Sequence, residues 1–174
     1  LYESLLKRKR KVYHKKIADI IETEFPDITT KQPELLAIHY SSAANYKKAV
    51  KYRAIACNRS AKNFAHLETS NLATSTLNDL EKLPKTKERD QLEKEIHLLH
   101  GPALLAVKGW SSPEIGHAYK RAKELTNAKD DLDEVVRITR GLWGYYMVSA
   151  RLEESIHIAN ELQELSNEYT SDDI

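Results

Sequence analysis

The amino-acid sequence predicts an all-α protein of about eight helices, paired as antiparallel hairpins and stacked in a right-handed array. Three observations carry this expectation. Apolar residues recur at three- and four-residue intervals along most of the chain, and no segment sustains the period-two alternation of a half-buried strand. Gly and Pro together number 10 of 174 residues, about half the usual share, which argues against turn-rich sheets. Charged residues make up 30% and hydrophobic residues 41%, the mixture of amphipathic helices with solvated outer faces. The mean hydropathy is -0.59, and no apolar run approaches the ~18 residues that a membrane span needs. Cys57 is the only cysteine, so nothing ties the chain to an oxidising compartment, and a cytoplasmic location is expected. The opening Leu1-Tyr2-Glu3 reads as a piece of a longer polypeptide.

Each element follows from its own punctuation. A first helix is expected from about Tyr2 to Glu24, stopping at Phe25-Pro26 because Pro disfavours a helical residue before it. Pro33 suits the first position of a short second helix that ends near Ala43. Asn45 caps a third, with Tyr46, Ala49, Val50, Tyr52, Ala56 and Cys57 along one side. A fourth spans about Leu67 to Leu83, before Pro84. The fifth, Lys87 to Val107, contains Gly101-Pro102, the expected place for a kink. Ser112-Pro113-Glu114 starts a sixth, with Ser112 as its cap, running to about Ala128. Asp130 or Asp131 opens a seventh to about Ser149, and an eighth runs from about Leu152 to Tyr169. Residues 1–29 are then a linking basic amphipathic helix, 30–169 helical repeats and 170–174 a disordered tail.

The repeats show in a residue pattern. A tetratricopeptide unit places small residues where its two helices cross and large ones in the groove between them. Residues 30–63 fit it with Leu36, Ala37, Tyr40, Ala44, Tyr46, Ala49 and Ala56. Residues 136–169 fit with Leu142, Tyr146, Ala150, Leu152, Ser155 and Leu162, although bulky Trp143 stands where a small residue is expected. A weaker copy at 99–132 has Leu105, Ala106, Ile115 and Ala118. The stretch 64–98 should hold one more hairpin but does not align to the pattern.

The order of several longer motifs extends this likeness. Tyr2-Glu3-Ser4-Leu5-Leu6, with Arg8, Arg10, His14 and Ile17-Ala18, precedes Gln32-Pro33-Glu34-Leu35-Leu36-Ala37-Ile38-His39-Tyr40. Ala49-Val50-Lys51-Tyr52, Leu83-Pro84, Gly101-Pro102-Ala103-Leu104, Lys108-Gly109-Trp110 and Pro113-Glu114 with Ala118-Tyr119 and Ala122 follow. The series, over roughly residues 2–165, resembles the tetratricopeptide-like helical region after the P-loop ATPase module of multidomain bacterial class III adenylate/guanylate cyclases and related predicted ATPases. The resemblance implies a regulatory, protein-interaction segment of a larger signalling protein. It implies no cofactor here, since the family's catalytic chemistry lies outside this region. Neither GxxxxGK[ST] nor paired metal-binding aspartates occur in the chain.

Binding by surface is therefore the expected function, to a protein partner, a neighbouring domain of the same chain, or a second copy. Mapping the groove-facing positions of the repeat selects Lys31, Glu34, Ile38 and Ser42, then Val107 and Trp110, then Arg137, Arg140, Gly144 and Met147. Arg137 and Arg140, one turn apart, suit a carboxylate, or else pair with Asp133 and Glu134. The alternative is nucleic-acid binding through Lys7, Arg8, Lys9, Arg10 and Lys11. Residues 1–16 carry +6 while the remaining 158 carry -5. Leu5, Leu6, Val12, Tyr13, Ile17, Ile20 and Ile21 recur through that block, so its charges read more simply as the wet face of a helix. Glu93, His97 and His100 share a helical face at metal-ligand spacing, but a closing ligand is missing, and packed structural histidines are the simpler reading. Cys57 lies on a small-residue stripe, where an inert packed thiol is expected.

Overall fold

The computed structural model describes the backbone of residues 2–127 and 130–171, with side chains for 6–127 and 130–167. Among these residues the protein is all-α, with nine helices packed in neighbouring pairs and no strand. It divides into two compact units, residues 1–89 and 90–174. No helix among the described residues is long and apolar enough to cross a membrane.

The first unit holds α1 (Tyr2–Glu24), α2 (Pro26–Lys31), α3 (Pro33–Ser42), α4 (Tyr46–Lys62), α5 (His66–Leu80) and the start of α6 (Lys87–Lys108). α1 packs on α3, α3 on α4 and α4 on α5. The core joins Ala18 of α1, Leu36, Ala37 and Tyr40 of α3, and Ala49 and Tyr52 of α4. Burying a side chain of the size of Leu36 contributes about 1.5–3 kcal/mol relative to leaving it in water. A polar knot closes the same contact. The Tyr40 and Tyr52 hydroxyls donate to the Glu22 carboxylate, and the Lys48 ammonium reaches it at 2.6 Å. Burial alone would raise the Glu22 carboxyl, but these donors outweigh it and hold it at about 2.

Three tight turns repeat one local solution. Ala44, Phe64 and Ala150 each sit just past a helix with φ of 60°, 57° and 54°. In each turn the amide of that residue donates to the carbonyl three back, and the next amide to the carbonyl five back. The pairs are Ala44 to Ser41 with Asn45 to Tyr40, Phe64 to Ala61 with Ala65 to Ser60, and Ala150 to Met147 with Arg151 to Tyr146. This is a Schellman closure, which satisfies the last helical carbonyls and usually carries Gly at the left-handed position. Ala44 and Ala150 occupy equivalent places in the two best repeat matches. Leu36 and Leu142, Tyr40 and Tyr146, and Ala49 and Ser155 also correspond, and all six are buried.

The second unit holds most of α6, with α7 (Pro113–Glu124), α8 (Leu132–Val148) and α9 (Leu152–Ser171). Its core gathers Leu104, Ile115, Ala118, Tyr119, Leu142, Tyr146 and Ile158. Glycine lets the aromatic rings in. A Cβ on Gly101 of α6 would stand 2.6 Å from the Tyr119 ring, and one on Gly141 of α8 would stand 2.3 Å from it. Lys94 of α6 is buried, and its ammonium lies 2.7 Å from both Asp130 and Glu134.

The elements depart from expectation in three places. Pro26 does not end helical structure but opens α2, since its fixed φ suits a first position, and this gives nine helices rather than about eight. As expected for Lys87 to Val107, α6 is one helix with Pro102 inside it, where Gly101 has no Cβ to meet the proline ring. Ser112 stands at the head of α7, yet its hydroxyl donates to Glu114 and does not cap the helix. Thr170 and Ser171 close α9 instead of belonging to a tail, and 172–174 lie outside the described residues. In the weak repeat copy Ala106 is exposed, so Gly101 supplies the close crossing there. Asn45 caps α4 as expected, its side-chain oxygen accepting from the Lys48 amide at 3.3 Å.

Candidate functional site

α3 and α5 flank a groove of about 670 Å³ in the first unit. α3 presents Glu34 and Ile38 to it, one helical turn apart, and α5 presents Leu67, Asn71 and Ser75 at the same spacing, with Glu68 and Leu72 beside them. Arg53 reaches the groove from α4 and is almost wholly buried. Its guanidinium is fixed by Asp79 at 2.5 Å and by the Ser75 carbonyl at 2.9 Å, both on α5. Desolvation would raise the Asp79 carboxyl, but its bonds to Lys82 and Arg53 hold it down. At the rim, Arg59 of α4 pairs with Glu34 at 2.8 Å and donates to the Lys31 carbonyl.

The apolar content of this surface is high for a wet one. Ile38 is 55% exposed and Leu67 63%. Phe64, in the turn that leads into α5, is 78% exposed in a left-handed conformation that bulky residues rarely adopt. Its only ring neighbour among the described residues is His66, edge-on at 6.3 Å. The groove thus combines uncovered aliphatic contacts with an amide, Asn71, that can both donate and accept, and Phe64 precedes its lining residues Ala65 and His66. Glu34 and Glu68 add negative charge. Such a surface recognises by shape and hydrogen bonding.

The remaining expected residues fall elsewhere. Lys31 ends α2 in solvent, and Ser42 is exposed at the end of α3. Arg137, Arg140 and Met147 are exposed along one side of α8, in the second unit, with Gly144 between them. Trp110 lies on that side too, since a Cβ on Gly144 would come within 2.5 Å of its ring, and Val107 is exposed on α6. Neither arginine meets Asp133 or Glu134 in an ion pair; Glu134 turns to Lys94 instead. Lys7, Arg8, Lys9, Arg10 and Lys11 are all exposed on α1.

The histidines are packed groups. Burial pushes His97 and His100 down to about 4, which keeps both neutral at physiological pH. Glu93 is bonded by Arg121 at 2.7 Å and lies 3.9 Å from the His97 ring. Among the described residues no three His, Cys, Asp or Glu side chains are placed to hold a metal ion. Cys57 is fully buried against the Thr69 carbonyl at 3.7 Å, and burial pushes its thiol up to about 12, far from a reactive thiolate.

Glu34 and Ile38 are therefore the two expected residues that meet in a groove. The α5 side, Leu67, Glu68, Asn71, Leu72 and Ser75, escaped the sequence reading because 64–98 follows no repeat register. Leu67, Asn71 and Ser75 recur at four-residue spacing in the sequence, but that spacing alone does not separate a groove wall from a solvated helix face. No family model, curated protein or solved structure matches the chain.

Proposed function

We propose that this chain is a non-catalytic interaction segment whose α3/α5 groove binds a protein partner or a neighbouring domain. The observation that carries the proposal is the groove itself, with Ile38 and Leu67 uncovered around a hydrogen-bonding Asn71 and the exposed Phe64 just before the lining residue Ala65. Interface energy concentrates in a few apolar anchors set among polar neighbours, and this surface has that composition. The ordered motif series from Tyr2-Glu3-Ser4 to Ala122 supports a tetratricopeptide-like array. It supports, too, a place in a larger bacterial signalling protein of the cyclase or ATPase type, acting in the cytoplasm. On this reading, partner binding in the groove passes a signal to an output domain elsewhere in the parent protein.

The test uses a partner purified from the source cell and titrated against three variants. Replacing Ile38 and Leu67 together by Asp should weaken binding about tenfold or more, because it charges the apolar anchors. Replacing Arg137 and Arg140 by Ala, or Lys9 and Arg10 by Ala, should change affinity by less than about threefold, as exposed rim charges do. Loss only in the arginine variant moves the site to α8. Loss only in the Lys9/Arg10 variant, with a salt-steep affinity for nucleic acid, moves the function to the basic helix.

A further inference from the structure

The two compact units carry opposite charge. Residues 1–89 hold 18 Lys and Arg against 10 Asp and Glu, a net +8, and residues 90–174 hold 9 against 16, a net -7. The overall charge of +1 conceals this polarity. It is pronounced in the first and last helices. α1 holds seven Lys and Arg, five of them consecutive from Lys7 to Lys11, while α9 holds five Glu and neither Lys nor Arg.

Each of these helices also leaves an apolar face uncovered. α1 turns His14, Ala18 and Ile21 to α3, with the His14 and His39 rings 2.9 Å apart nitrogen to nitrogen. A second face carries Leu6, Tyr13, Ile17 and Ile20 at helical spacing, between 41 and 60% exposed. α9 buries Ser155 and Ile158 and leaves Leu152 and Ile156 more than 60% exposed. Scattered surface aliphatics are ordinary, but four apolar residues at helical spacing on the basic α1, and two one turn apart on the acidic α9, form patches of the kind that mark interaction surfaces.

We infer that these two faces are the halves of one interface, and that the occupant of each is a second copy of this chain. The α1 face of one copy stacks on the α9 face of the next. Lys9, Arg10 and Lys16 beside the first stripe then meet Glu153 and Glu164 beside the second. Pairing α1 with α1, or α9 with α9, would bring like charges together, so the contact joins α1 of one copy to α9 of another. Two copies that make this contact once leave one α1 face and one α9 face open, while two that make it reciprocally close as a dimer. Assembly therefore rises with concentration, and grows further unless a ring or a reciprocal dimer closes it. This surface is separate from the α3/α5 groove, and the inference stands or falls independently of it.

Sedimentation of the 174-residue chain over a concentration series tests the inference, using the wild type, Ile17→Glu, Ile156→Lys and an equal mixture of the two variants. Both positions are exposed, and matching far-ultraviolet spectra and melting temperatures establish that the variants fold. The wild type should associate to a dimer or a larger assembly as concentration rises. Raising salt from about 0.1 to about 1 M shortens the screening length from about 10 to about 3 Å and should reduce that association. Each variant alone should stay monomeric, since one of its two faces is repulsive. The mixture should form a 1:1 dimer that grows no further, built from the α9 face of the Ile17→Glu chain and the α1 face of the Ile156→Lys chain. A wild type that is monomeric throughout, a variant that assembles as the wild type does, or a mixture that stays monomeric would each overturn the inference. So would a monomer that binds anionic lipid vesicles or duplex DNA through α1, which would give the basic face to that partner.

Discussion

Phe64 concentrates the relation between strain and binding in one residue. It holds a φ of 57° in an exposed turn, where Gly would sit without steric cost. A non-Gly residue in this region costs roughly 1–2 kcal/mol, partly offset by the smaller backbone entropy it loses on folding. Ala44 and Ala150 pay the same strain with a methyl group, whereas Phe64 does so while offering a whole ring to solvent, next in the chain to the groove residues Ala65 and His66. The Phe64→Gly variant should therefore be more stable than the wild type by about 0.5–1 kcal/mol in denaturant titration. The same variant should bind the groove partner about tenfold more weakly. Ala150→Gly, in an equivalent turn of the second unit, should gain stability without losing binding. If Phe64→Gly binds as tightly as the wild type, Phe64 is not an anchor of the site.

Between elements, the second unit is built on close helix crossings made by glycine under aromatic rings. The Tyr119 ring, itself buried, is flanked by Gly101 of α6 and Gly141 of α8. Gly141→Ala would place a methyl 2.3 Å from ring atoms that have little room to move. Although Ala is the better helix former by about 1 kcal/mol, overpacking of this kind costs about 1–3 kcal/mol and should dominate. Thermal melting of the variant should show a lower midpoint; an unchanged or higher one would mean that α7 and α8 separate freely at this crossing. Most of these elements were legible in the sequence, because Pro33, Asn45, Pro113 and the 3.6-residue apolar stripes mark helix starts and faces directly. α2 was missed, since Pro26 is as good a helix start as a helix stop and only the tertiary setting of Thr29 and Ile28 against the end of α1 decides. Half of the groove was legible through Glu34 and Ile38. The α5 half was not, because its exposed stripe of Leu67, Asn71 and Ser75 resembles any solvated helix until α3 is placed beside it.

Across the whole molecule, the two units should respond to acid in different pH windows. His97 and His100 have ordinary values near 6.5 when unfolded and about 4 when buried, so the unfolded chain takes up protons first. The second unit is thus fully stable above about 6.5 and loses up to about 3 kcal/mol per histidine as pH falls to 4. Glu22 has the opposite character. Its folded value of about 2 lies below the ordinary 4.5, so its contribution to the first unit is present above 4.5 and is lost as pH falls towards 2. Both tryptophans, Trp110 and Trp143, lie in the second unit, so their fluorescence should report an acid transition at higher pH than the full helical signal does. In His97→Gln the pH dependence between 6.5 and 4 should flatten; an unchanged slope would show that His97 is not a source of it. Binding in the α3/α5 groove is the central functional claim, and in-cell photo-crosslinking reads it most directly. A photoreactive side chain at Leu67, compared with one at Ile17 and one at Arg140, reports which surface a partner touches. The account predicts a discrete protein adduct from Leu67 that disappears when Ile38 is replaced by Asp. An absence of adducts at Leu67, with clear ones at Ile17 or Arg140, would contradict it.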